Sequence, residues 1–169
     1  MPLDESTRDA LVRQIEIAFD GVSLGDGIGI LEAWAIDRCV SDKDRQRARA
    51  SDYRADWTLI PDSVLDERYS VLSFMDREGL RFALPAYMRF TTRNFEKSQS
   101  LSVDAPIYSL CSGWAGAPGG AEFFTKLQRA TIARFLRVMV VEVGEDYVDA
   151  AAASEAYDNF WVAFDEEAG

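Results

Sequence analysis

The sequence contains no histidine among its 169 residues. This absence removes the commonest general base, every Ser-His or Cys-His nucleophile pair and every histidine-ligated metal site. No Asp-x-Asp-x-Asp loop or comparable carboxylate cluster replaces such a site. We therefore predict no metal, no cofactor and no catalytic residue. Carboxylates beside a cleft can still perform acid–base chemistry, so an enzyme is disfavoured but stays open.

Cysteine is also scarce, and Cys39 and Cys111 form no Cys-x-x-Cys pair. Two isolated cysteines in a chain that is long enough to bury its own core favour reduced, buried thiols over a disulfide. The first residues are polar and acidic, unlike a secretory signal. The longest apolar run near the end, Val138 to Val141, is too short to span a bilayer. These features predict a cytoplasmic protein that does not enter a membrane.

Basic residues are missing from the end of the chain. The net charge is −11, and residues 142–169 contain nine acids and no base. Residues 28–98, by contrast, contain twelve acids and twelve bases. Such a protein repels nucleic acid and anionic membranes and attracts basic proteins. Solubility is the simpler explanation of the same charge.

Apolar residues recur at helical spacing along most of the chain. The pattern predicts helices over about residues 5–19, 30–39, 62–75 and 124–143, with a polar, arginine-rich helix after Ser41. Residues 21–29 hold four glycines. Because no strand precedes them and no Gly-Lys-Ser/Thr follows, a mobile connecting loop is favoured over a phosphate cradle.

The densest apolar segment lies near the middle of the chain. From Phe82 to Phe90, only Pro85 and Arg89 interrupt the apolar residues. A helix that is apolar nearly all round is surrounded by other elements. Because proline lacks an N–H and clashes with the preceding turn, we expect this helix to begin near residues 81–84. The prediction is a mostly α, single-domain multi-helix bundle around a central buried helix at about residues 82–94.

Two motifs carry a family resemblance. Gly79–Met88 reads G-L-R-F-A-L-P-A-Y-M, and Phe124–Leu136 reads F-T-K-L-Q-R-A-T-I-A-R-F-L. Together with Trp57 and Ile60-Pro61-Asp62, they resemble a family of uncharacterised bacterial proteins with the motifs G-x-R-F-x-L-P-A-Y-M and F-T-x-x-Q-x-x-x-I-x-x-F-L. The resemblance covers most of residues 8–140. It implies a shared fold and a bacterial, cytosolic origin, and it implies no activity.

The last segment, residues 145–169, combines aromatic with acidic residues. We expect it to form a helix that packs on a core domain of residues 1–144, since aromatic side chains rarely stay exposed in a monomer. The alternative is a surface for a basic partner, because interfaces place aromatic anchors inside a charged rim. The candidate partner-binding residues are Asp149, Glu155, Tyr157, Asp158, Trp161 and Asp165.

A polar cluster beside the central helix is the rival candidate site. Its pocket residues are Asp76, Arg81, Tyr87 and Arg89. Their simpler role is to cap the turn before the helix and to form ion pairs around it. The glycine-rich loop at residues 113–120, with Trp114, has no assigned role.

Three functional hypotheses follow. The leading one is an acidic protein-binding protein of the immunity or antitoxin kind, which occludes a basic effector such as a nuclease. The second is an enzyme or small-ligand-binding protein with a pocket beside Arg81, Tyr87 and Arg89. The third is a homo-oligomer whose C-terminal aromatic residues form the subunit contact.

Overall fold

The structure is a computed structural model, and it describes residues 3–111 and 120–166. Over these residues the chain forms a single all-α domain without a strand, which confirms the predicted fold class. The helices are α1 (Glu5–Ala18), α2 (Ile30–Asp37), α3 (Asp42–Ala50), α4 (Asp62–Glu67), α5 (Arg77–Asn94), α6 (Ala105–Cys111), α7 (Lys126–Val138) and α8 (Ala150–Asn159). None of these described helices is both long and apolar enough to cross a bilayer.

Helix α5 lies at the centre of the core. Every residue from Phe82 to Thr92 is buried, and α1, α4 and α6 all pack against this helix. Helix α1 contributes Leu11 and Ile15, neither of which is exposed to solvent. The central buried helix that the apolar pattern predicts is therefore present, with other helices on several sides.

The start of α5 differs from the expectation based on its proline. Asp76 caps the helix, because its Oδ1 accepts the N–H of Gly79 at 2.9 Å. The first helical residue is consequently Arg77 and not one of residues 81–84. Pro85 lies inside the helix, where it cannot donate a hydrogen bond to the carbonyl of Arg81. Burial of the eleven residues from Phe82 to Thr92 outweighs a local cost of about 3 kcal/mol.

The segment predicted as one helix over residues 62–75 is divided. Helix α4 ends at Glu67, and a separate 3₁₀ turn covers Val71–Phe74. The hydroxyl of Tyr87 donates to the carbonyl of Arg68, and the hydroxyl of Ser70 donates to Asp37 at 2.6 Å. Both bonds join residues that are distant in sequence, and they hold the chain in a turn at residues 68–70.

The C-terminal segment belongs to the same core as the rest of the domain. Helix α8 packs on α6 and α7. It ends at Asn159, so Trp161 and Phe164 lie on a separate 3₁₀ turn, Trp161–Phe164, and not on a continued helix. Trp161 is fully buried, and its Nε1 donates to the carbonyl of Leu110 at 3.1 Å. This bond fixes the turn against α6.

Both cysteines are free and exposed, which corrects the expectation of buried thiols. Cys39 directly follows the capping residue of α2 and has a left-handed backbone, with φ of 52°. Cys111 is the last residue of α6, and its Sγ lies 3.1 Å from the carbonyl oxygen of Ala152. Each thiol therefore sits at a helix end, outside the apolar faces that form the core.

Candidate functional site

The strongest candidate site is a surface formed by α6 and the start of α8. We call it the acidic face, and it consists of Asp104, Tyr108, Cys111, Asp149 and Glu155. Asp149 caps α8, since its Oδ1 accepts the N–H of Ala152 at 2.9 Å. The N–H of Asp149 donates to Oδ1 of Asp104 at 2.8 Å. The face is thus held by hydrogen bonds between segments that are far apart in sequence.

Tyr108 lies in the middle of this face. Its side chain is 49% exposed, and its hydroxyl donates to Oδ2 of Asp149 at 2.9 Å. This hydrogen bond is the largest cause that raises the pKa of Tyr108 to about 12, and burial and neighbouring acidic groups add to it. The phenol is therefore neutral at physiological pH, and its ring is fixed by the bond to Asp149.

The remaining groups of the face are electronegative and unreactive. Burial raises the pKa of Asp104, and the N–H of Asp149 partly opposes this shift. Burial also raises the pKa of the Cys111 thiol, and the charges of Glu155 and Asp149 raise it further. A thiol with a raised pKa is a poor nucleophile. The face is consequently suited to binding and not to thiol chemistry.

Exposed apolar side chains lie beside these carboxylates in the sequence and the fold. Leu101, one turn before Asp104, is 60% exposed. Tyr147, two residues before Asp149, is also exposed and packs edge-on against Phe95 with 5.3 Å between the ring centroids. Exposed aromatic and aliphatic groups among charged ones are the composition that protein interfaces use.

Three of the predicted partner-binding residues reach the surface. Glu155 and Asp158 are exposed, and Asp149 is partly exposed. Asp158 accepts a hydrogen bond from the hydroxyl of Ser154 at 3.0 Å, one turn earlier in α8. These residues extend the acidic face along α8.

The other three predicted partner-binding residues are engaged inside the protein. Trp161 and Asp165 are buried. Asp165 accepts hydrogen bonds at 2.8 Å from Nε of Arg137 and from the hydroxyl of Tyr157. Trp161 and Asp165 therefore secure the end of the chain to the core, and their assignment to an exposed surface is corrected. Tyr157 is partly buried and serves the same structural contact.

The first two pocket candidates have structural roles at the start of α5. Oδ1 of Asp76 accepts the N–H of Ile28 at 3.0 Å as well as that of Gly79. The guanidinium of Arg81 stacks on the ring of Phe123, 4.4 Å from its centroid. Asp76 therefore caps α5, and it also joins the start of this helix to the loop before α2.

The other two pocket candidates are buried in α5. Tyr87 is fully buried, and burial raises its pKa. Arg89 contacts Glu16 at 3.3 Å and the carbonyl of Thr58 at 3.0 Å, and it stacks on Trp57 at 5.0 Å. Arg81, Tyr87 and Arg89 thus have three separate sets of partners, and they do not converge as a ligand pocket requires.

The glycine-rich loop at residues 21–29, expected as a mobile connection, is held by hydrogen bonds to its own carbonyls. Arg54 donates to Gly25 and Arg49 donates to Asp26, both at 2.7 Å. The carboxylate of Asp52 accepts the N–H groups of Leu31 and Glu32 at 3.0 and 2.9 Å. A phosphate bound at the start of α2 would need these same two N–H groups, which Asp52 already occupies. A Cβ at Gly29 would collide with that carboxylate, so the glycine allows its approach. The loop is therefore a clamped connection and not a phosphate cradle.

Three residues of the acidic face, Asp104, Tyr108 and Cys111, are absent from the predicted site, and the first two are its hydrogen-bonded centre. Their spacing of four residues places them on one face of a helix, and this signal was available. Their contacts with Asp149 were not visible, because these bonds cross 45 and 41 residues of sequence. The predicted loop at residues 113–120 and its Trp114 lie almost wholly outside the described residues.

No curated protein and no solved structure matches the chain. Among the known families, the model of one family of unknown function matches residues 7–164, which is nearly the whole chain. This agrees with the expectation of an uncharacterised family. The protein therefore belongs to the family of unknown function DUF6714.

Proposed function

We propose that the protein binds a basic protein through the acidic face and neutralises it, in the manner of an immunity protein or an antitoxin. The observation that carries this proposal is the half-exposed Tyr108 ring, held by the carboxylate of Asp149 with that of Asp104 close by. A fixed aromatic ring inside a charged surface is the arrangement of an interface anchor.

The charges around the face support the same conclusion. Residues 142–169 supply no base that could neutralise these acids. Arg137 of the neighbouring α7 is bonded to the buried Asp165 at 2.8 Å. Uncompensated carboxylates attract a basic surface over a distance and accelerate association. The hydrogen bond between Tyr108 and Asp149 already orders the Tyr108 side chain, so binding a partner costs less side-chain conformational entropy.

The first test is capture of the partner from native cytosol. The tagged protein is recovered at low and at moderate salt, and the proteins that accompany it are identified. We expect a single basic protein in stoichiometric amount, which is lost as salt rises because the attraction is screened. Recovery of the protein alone at both salts contradicts the proposal.

A set of variants tests the surface itself. The triple substitution Asp149→Asn, Glu155→Gln and Asp158→Asn removes three charges, and the amide introduced by Asp149→Asn retains an oxygen that can cap α8. Asp165 stays unchanged because it is buried. The matched control is Glu5→Gln, Asp9→Asn and Asp20→Asn, which removes three exposed charges from α1 and its end. We expect the α8 variant to lose at least tenfold in affinity and the control to change little. An equal loss of affinity in both variants would mean that the net charge of the protein, and not the acidic face, governs binding.

A further inference from the structure

Helix α3 is a charged element that lies wholly on the surface. None of its nine residues is buried. Its sequence, Asp-Lys-Asp-Arg-Gln-Arg-Ala-Arg-Ala, contains four bases, two acids and no apolar residue larger than alanine. Hydrophobic burial therefore contributes little to holding this helix on the protein.

Polar contacts to a buried carboxylate hold α3 in place. Glu32 of α2 is 3% exposed and accepts hydrogen bonds from Arg45 at 3.1 Å and from Arg49 at 2.6 Å. Arg49 also donates to the carbonyl of Asp26 at 2.7 Å. Two guanidinium groups thus share one carboxylate, which leaves this contact with an excess of positive charge.

The outer side of α3 adds two further bases. Lys43 and Arg47 are one helical turn apart, and both are exposed. Arg47 pairs with Asp44 of its own helix at 3.3 Å, and its side chain remains 70% exposed. Arg45 and Arg49 lie on the opposite, inner side of α3, with side chains that are 45% and 37% exposed. We call the four bases together, two outward and two partly exposed toward α2, the arginine face.

We propose that the arginine face docks onto the acidic face of a second copy of this chain. The proposal uses the acidic face of the proposed function and adds a second surface to it. Both surfaces are exposed and opposite in charge. Helix α3 packs on α2, whereas α8 packs on α6 and α7, so each face is carried by its own part of the domain. Two different faces then meet head to tail, and the contact can repeat along a chain of molecules or close a ring.

A small anion fits the arginine face less well than a protein surface does. The cavity of about 290 Å³ beside α3 is lined by Arg45 and Arg49 together with Glu32 and Asp42. An anion that entered it would meet two carboxylates. A partner that spreads its carboxylates across the outer side of α3 meets Lys43 and Arg47 first.

The test is the molecular mass in solution by sedimentation. At about 0.1 M salt the Debye length is about 10 Å, so the repulsion between distant charges is screened while close pairs still attract. We expect species heavier than the monomer there, and monomer at about 1 M salt, where the Debye length is about 3 Å. A wild-type protein that is monomeric at both salts overturns the proposal.

Neutralising variants identify the two faces. One variant carries Lys43→Gln and Arg47→Gln, and the other carries Glu155→Gln and Asp158→Asn. Each alone should be weakened at least tenfold in self-association. Their mixture should form a one-to-one dimer and stop there, because each variant retains one intact face. If either variant alone associates like the wild type, or if the mixture stays monomeric although the wild type associates, the proposal is wrong.

The same variants separate this proposal from the proposed function. The Lys43→Gln and Arg47→Gln variant retains the acidic face, so it should still capture a basic partner. If the wild type is monomeric but captures such a partner, the self-association proposal is wrong and the proposed function stands. Co-purifying nucleic acid that this variant loses would identify a different occupant of the arginine face and overturn the choice of a second copy.

Discussion

Helices α5 and α3 are stabilised in opposite ways. In α5 every residue from Phe82 to Thr92 is buried, whereas in α3 no residue is buried and Arg45 and Arg49 bind Glu32. Burial of apolar surface depends little on ionic strength, whereas ion pairs with partly exposed guanidinium groups, such as those of Arg45 and Arg49, are weakened by salt. Two helices of one domain should therefore respond differently to the same change of conditions.

Truncation of the α5 core should have the largest effect. Phe82 is 1% exposed, so Phe82→Ala removes a buried ring and leaves a cavity. We expect the free energy of unfolding, measured with denaturant, to fall by about 3–5 kcal/mol. The control is Ile17→Ala in α1, where the side chain is 62% exposed. It should change the free energy by less than about 0.5 kcal/mol. Equal losses would show that α5 is not the centre of the core.

Loss of the buried carboxylate should weaken α3 without affecting α5. Glu32→Gln leaves Arg45 and Arg49 without a charged partner. Because both guanidinium groups are partly exposed and can be hydrated, we expect a loss of about 1–3 kcal/mol. Hydrogen exchange should accelerate in α3 and stay unchanged in α5. Glu67→Gln serves as the control, since Glu67 is exposed beside Arg68. Unchanged exchange in α3 would mean that another contact holds it.

Two tyrosines extend the comparison to titration. Burial raises the pKa of Tyr87 in α5, whereas the bond to Asp149 is the main cause for Tyr108. Asp149→Asn should lower the pKa of Tyr108 from about 12 toward its ordinary value of 10. The pKa of Tyr87 should not change. Ultraviolet absorbance of the tyrosinate, with Tyr108→Phe to assign the transition, provides the measurement. If Asp149→Asn leaves the pKa of Tyr108 unchanged, the hydrogen bond to Asp149 is not the main cause of its raised pKa.

The sign of the effect on stability follows from the raised pKa. The folded state retains the proton of Tyr108 at a pH where the unfolded chain releases it. The contribution of Tyr108 is therefore fully present below pH 10 and is lost between pH 10 and about 12. Because the side chain is half exposed, solvent screening keeps this contribution small.

The smallest effect should come from the exposed pair within α3. Arg47→Ala removes a contact to Asp44 between two exposed side chains. Such pairs contribute less than about 1 kcal/mol, and alanine favours the helix. We expect the free energy of unfolding to change by less than about 0.5 kcal/mol, with α3 still formed by circular dichroism. A larger loss would show that the outer bases also stabilise α3.

Local patterns in the sequence predicted the regular helices well. Helix α1 was expected over about residues 5–19 and extends over Glu5–Ala18. Helix α7 follows a capping box of Thr125 and Gln128, so its start was visible locally. It continues beyond Val138 as a π-helical turn to Val143, and Gly144 ends it. Caps and periodicity act within a few residues, which is why the sequence shows them.

Features that depend on distant residues were not predicted. Helix α5 begins at Arg77, earlier than Pro85 alone predicts, because the Asp76 cap and the packing around Pro85 outweigh its local effect. The division of residues 62–75 involves the hydroxyl of Tyr87. The 3₁₀ turn that replaces the end of the C-terminal helix is held by the bond from Trp161 to the carbonyl of Leu110. In the site, composition identified the acids of α8, but only the fold brings Asp104 and Tyr108 to Asp149.

A single oxygen atom of Asp76 sets an order of events during synthesis. Oδ1 accepts the N–H of Gly79 and that of Ile28, which was made 48 residues earlier. The carbonyl of Ile28 lies so close to Gly79 that a Cβ there would collide with it. A nascent chain that ends before Asp76 contains the residues of α1, α2 and α3 and the Asp52 carboxylate that binds the start of α2, but it lacks the acceptor for the N–H of Ile28. The hydrogen bond of Ile28 can therefore form only after the start of α5 has been synthesised, so the loop gains its last contact late.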